Sequence, residues 1–144
     1  MKKLILTTAL LLGFNTAAQS ATTCTNDDLI GQWSVKYIVS SSAFVGTCNI
    51  VFDGNMVTSG TCDNIGDTET SEIFDGLGTI SKRCGVTGKM TFNNAARMSV
   101  ATKMTADKQY MTGTFSSNTG GKVSKGKITL QKTGELSCSV VSKE

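Results

Sequence analysis

Five cysteines, eleven carboxylates and no histidine are what this 144-residue chain has to do chemistry with. None of Cys24, Cys48, Cys62, Cys84 and Cys138 stands in a C-x-x-C pair. No imidazole is present to complete a zinc site, activate a thiol or serine, or relay a proton. Disulfides are therefore the expected use of the cysteines, and they fit an oxidising compartment. In "CNIVFDGNMVTSGTC", residues 48–62, the turn residues sit midway. A hairpin centred on Asn55 sets Cys48 opposite Cys62, Ile50 opposite Gly60 and Phe52 opposite Thr58. A second bridge is expected between Cys84 and Cys138, tying down the C-terminal tail. Cys24 is then left inert or free to link a covalent dimer, and the oligomeric state stays open.

The carboxylates give a weaker signal. Asp63, Asp67, Glu69 and Glu72 in "CDNIGDTETSEIFDG" offer calcium-type oxygen donors, but their spacing lacks the alternate-position pattern and glycine of an EF-hand loop. The segment is read as a polar connection, and no metal or cofactor is expected. Nothing sets two carboxylates around a cleft as acid and base, so the chain is expected not to be an enzyme.

The elements that position these residues are read from alternation. In "RMSVATKMTADKQYMTGTF", residues 97–115, a turn at Asp107–Lys108 pairs Met104 with Met111, Thr102 with Gly113 and Val100 with Phe115 on one face. Val86, Gly88, Met90 and Phe92 alternate with Thr87, Lys89 and Thr91; Gly126, Ile128 and Leu130 alternate with Lys125, Lys127 and Thr129. Trp33, Val35 and Tyr37 do the same in "QWSVKYIV". With the hairpin around Asn55 and a segment near Leu77–Lys82, about eight strands are expected, joined by short turns. An antiparallel up-and-down barrel covers their apolar faces and removes the sheet edges. A two-sheet sandwich is the alternative.

Ahead of these strands, Met1, Lys2 and Lys3 precede the apolar run Leu4–Phe14 and the small residues of "NTAAQSA". This is the pattern of a bacterial secretory signal, expected to span residues 1–20 and to leave 21–144 as one domain in the periplasm or outside the cell. No later stretch is apolar enough to form a transmembrane segment.

With the strands in place, the chain resembles the calycin superfamily of lipocalin-like and avidin-like barrels, through "LIGQWSV" and "MTGTF". Gly31 and Trp33 match the G-x-W of that family's opening strand, and the resemblance implies that Trp33 closes one barrel end. It also implies a binding protein, either a carrier of a small apolar ligand or an inhibitor. Trp33 is the only tryptophan, whereas avidins surround biotin with several, which argues against biotin. The hairpin disulfide is similar to that of small bacterial calycin-like inhibitors of proteases and lysozymes.

Two surfaces follow as candidate sites. The inward face presents Trp33, Tyr37, Phe52, Met90, Met98, Met104, Met111 and Phe115, interrupted by Gly60, Gly88, Gly113 and Gly126. Missing side chains leave room for a small hydrophobic ligand among adaptable methionines, or else let the strands bend and pack. The outward face of the late strands carries Lys89, Lys103, Lys125 and Lys127. From Thr22 to Ser81 one lysine stands against eight acids, and beyond it eleven lysines and arginines stand against three. Net charge is only +3, so nucleic acid is not an expected partner. An uneven face of this kind suits docking to a target enzyme or another acidic partner.

Overall fold

A computed structural model describes residues 22–63 and 70–136. The proposed signal segment, Asp67, Glu69 and Cys138 lie outside those residues. Eight strands run β1 (Gly31–Val39), β2 (Val45–Phe52), β3 (Val57–Asp63), β4 (Thr70–Ile80), β5 (Gly85–Phe92), β6 (Arg97–Met104), β7 (Tyr110–Thr119) and β8 (Lys122–Gly134). Each pairs antiparallel with the next and β8 returns to β1, so the sheet closes as an up-and-down barrel. The sandwich alternative is thereby excluded.

Alternation decides which way each side chain points. Val35, Tyr37, Ile50, Met90, Met98, Met104, Met111, Phe115, Ile128 and Leu130 are all buried in one core. Met104–Met111, Thr102–Gly113 and Val100–Phe115 pair in the expected register. The turn between them is wider than a two-residue one. Thr105 and Tyr110 close it from either side, with Lys108 in the left-handed region at φ 60°.

Three local expectations are corrected. Phe52 faces Val57 rather than Thr58, because an irregularity at Val51/Phe52 shifts the register after Cys48–Cys62, Ile50–Gly60 and Val51–Ser59 have paired as expected. The strand placed near Leu77–Lys82 instead runs from Thr70 to Ile80 and takes in Glu72 and Asp75, so half of the acidic segment is sheet rather than loop. Cys84 pairs with Cys24, with Cα atoms 5.1 Å apart, rather than with Cys138. The chain before β1 folds back across one barrel end, so Cys24 lies against the β4–β5 turn, where its backbone N–H donates to Lys82 O. Cys24 is thus consumed within the chain and cannot link a dimer. Cys48–Cys62 forms across β2 and β3 as expected.

Candidate functional site

The end of the barrel nearest the N-terminus is built shut. A single 3-10 turn, Asn26–Leu29, crosses it and buries Leu29 completely. The Trp33 indole N–H donates to Leu29 O at 2.8 Å beneath this plug, and Trp33 is 1% exposed. Lys132 Nζ stands 5.8 Å from the indole centroid and 3.1 Å from Glu135, covering the ring from outside. Gly31 has φ +139°, and a Cβ there would meet Gly134 O at 2.6 Å. The first residue of G-x-W is therefore glycine because β1 begins hard against the end of β8. Asp28 fixes the plug to the β6–β7 turn through Lys108 at 2.8 Å. Burial opposes ionisation of Asp28, but the bonds from Lys108 and the Thr25 N–H outweigh it and hold the carboxyl below its ordinary range.

Inside the barrel, the eight sequence-predicted residues Trp33, Tyr37, Phe52, Met90, Met98, Met104, Met111 and Phe115 all face inward and are at most 6% exposed. The space opposite the glycines is occupied. A Cβ on Gly46 would fall 2.0 Å from the Tyr37 ring, one on Gly60 2.7 Å from Ile73, one on Gly76 2.8 Å from Val57 and one on Gly78 2.8 Å from Phe52. At Gly113 and Gly126 the obstruction is backbone, Ala101 O at 2.1 Å and Ile38 O at 1.8 Å, so these two let neighbouring strands close tightly. The alternation patterns picked out three of these six glycines, Gly60, Gly113 and Gly126. Gly76 and Gly78 escaped because the strand signal around them was faint.

Tyr37 spans the interior towards the opposite end. Its hydroxyl donates to Asp63 O at 2.6 Å on β3, and its ring meets Phe115 of β7 edge-on with centroids 5.3 Å apart. Burial, and then the negative charge of Asp63, pushes its pKa up to about 12. Among the described residues one inward polar atom has no partner: Thr102 Oγ1 is buried without a hydrogen bond.

The outer wall is divided by charge. Strands β5 to β8 contain no carboxylate and carry Lys89, Arg97, Lys103, Lys122, Lys125, Lys127 and Lys132, whereas β2 to β4 carry Asp63, Glu72 and Asp75 and no cation. The register organises the four candidate lysines. Lys89 faces Ser99, Ser99 faces Ser116 and Ser116 faces Lys125, so two lysines bound a row of serines. In the next row Ala101 faces Thr114, Thr114 faces Lys127 and Lys127 faces Ile38. Lys103 lies one step further along β6, opposite Thr112. Short side chains floored by Val100, Phe115 and Gly126 leave a depression of about 570 Å³ here, with Lys125 and Lys127 on one bank. None of the four lysines is ion-paired among the described residues.

No protein-family model matches the chain, and no curated protein matches it. The closed eight-stranded barrel agrees with the calycin resemblance at the level of architecture, with Trp33 at a sealed end as the resemblance implied. The two disulfides fit an extracellular or periplasmic protein. Among the described residues no helix is long and apolar enough to cross a membrane, and no group of three or more histidine, cysteine or acidic side chains is placed to hold a metal ion.

Proposed function

We propose that this is a secreted or periplasmic, non-enzymatic calycin-like protein that binds a macromolecular partner on its outside, as an inhibitor of a protease or lysozyme would. One observation carries the reading: the side-chain space left by the inward glycines is taken up by Tyr37, Ile73, Val57 and Phe52. Interiors packed in this way offer a ligand no ready volume, whereas unpaired lysines on a carboxylate-free wall remain available to a partner.

A second reading has its own support. The unpartnered Thr102 hydroxyl sits in a methionine-rich interior, and an unmet buried hydroxyl costs roughly 1–3 kcal/mol that a ligand oxygen could relieve. This is the carrier of a small apolar molecule, with Met90, Met98, Met104 and Met111 adapting around it. Native mass spectrometry of protein purified without denaturation from its own source separates the two. The partner-binding reading expects the bare chain mass. A stoichiometric adduct that organic extraction removes would establish the carrier instead.

A further inference from the structure

The trough on the basic wall does not end at its lysines. Ile38 lies directly beside Lys127 in the sheet and Val45 directly beside Ile38. Both side chains point outward, Ile38 42% and Val45 45% exposed. The Ser40 N–H donates to Lys125 O at 2.9 Å, which joins the β1–β2 turn to β8 and makes the apolar ledge and the trough one surface. Across it run Lys89, a floor of serine, alanine and threonine, then Lys125 and Lys127, and then the apolar pair Ile38 and Val45. At the usual spacing between strands, Lys89 and Lys125 stand about 14 Å apart along the sheet.

We infer that this surface docks an acidic protein segment carrying one large apolar side chain, with its carboxylates against Lys89, Lys103, Lys125 and Lys127 and its apolar group on Ile38 and Val45. The inference rests on the partner-binding reading above and names the partner's chemistry. Each part of the surface selects against another occupant. An anionic glycan satisfies the lysines but leaves the apolar ledge bare. An anionic bilayer covers the ledge but cannot enter a concave, serine-lined trough. A protein segment does both, since apolar anchors beside complementary charge are how such interfaces are built.

A displayed library of random dodecapeptides, selected on the intact disulfide-bonded protein, tests this. The selected peptides are expected to be rich in Asp and Glu around one Leu, Ile, Phe or Trp. Their affinity should fall about tenfold or more in Lys127→Glu and in Val45→Asp, stay unchanged in Thr61→Lys on β3 across the barrel, and weaken steadily with added salt. Circular dichroism confirms that each variant is folded, and Lys125→Glu with Ile38→Ser repeats the pair if one is not. Peptides of another composition, or acidic peptides indifferent to these substitutions, would overturn the assignment. So would heparin or phosphatidylglycerol vesicles binding in the same substitution-sensitive way while peptides do not, or sedimentation showing a second copy seated on the wall. These failures leave the partner-binding reading standing with its surface elsewhere. An interior adduct in the mass spectrum removes that reading itself.

Discussion

The sealed end and the basic wall of this barrel use similar residues to opposite effect. At the sealed end four charges are paired, Asp28 with Lys108 and Glu135 with Lys132, and Lys132 also covers Trp33. On the wall the four lysines sit beside small polar or apolar neighbours, and none is ion-paired among the described residues. Stability is kept at one place in the molecule, and free capacity for recognition at another. Charges satisfied internally contribute to folding but are closed to a partner, and solvated lysines contribute little to folding but steer and hold one.

Substitutions should therefore separate the two regions, with stability effects decreasing from the sealed end to the wall. Removing Cys24–Cys84 by a paired serine substitution, which frees a loop of sequence separation 60, should cost about 4 kcal/mol in the chain-entropy model. Removing Cys48–Cys62, of separation 14, should cost about 3 kcal/mol, and denaturant titration measures both. Trp33→Ala should cost about 3–5 kcal/mol, since it empties the space under the plug and strands the Leu29 carbonyl. Gly78→Ala should cost about 1–3 kcal/mol by forcing Phe52 aside, whereas Gly78→Ala in an interior with spare volume would be nearly neutral.

Smaller effects follow from titration and from the wall. The Asp28 carboxyl is held below its unfolded value, so its contribution is present above that value and is lost as pH falls through the folded one. Asp28→Asn should flatten the acid limb of the stability profile by no more than about 1 kcal/mol. Tyr37 is shifted the other way, so its contribution is complete below pH 10 and is lost as pH rises towards about 12; Tyr37→Phe should remove that alkaline slope. Lys127→Glu and Lys125→Glu should change stability by less than about 0.5 kcal/mol. If either destabilises the barrel as much as a sealed-end substitution does, the contrast between the regions fails.

The barrel was legible because one apolar face every second residue leaves few ways to cover it, and Met104 opposite Met111 already fixed a register. Cys48–Cys62 was legible for the same reason, being a cross-strand neighbour. Cys24–Cys84 was not, because it depends on the chain before β1 folding back over the barrel end, and no periodicity records that. The four lysines were legible as outward-facing, but not that Lys125 and Lys127 flank a trough. That arrangement comes from which strands neighbour which, as does the ledge, since Ile38 and Val45 read as ordinary strand residues. The glycines were visible as gaps in the inward pattern, while the side chains that fill them come from across the barrel.

Trp33, the only tryptophan, lies inside the barrel under the plug and reports on anything that enters. Titration of its fluorescence with long-chain fatty acids and other small apolar probes tests directly whether recognition belongs to the wall or the interior. The account predicts no saturable change in emission. A saturable shift at one probe per chain, abolished by Thr102→Val or by bulkier residues lining the core, would contradict it.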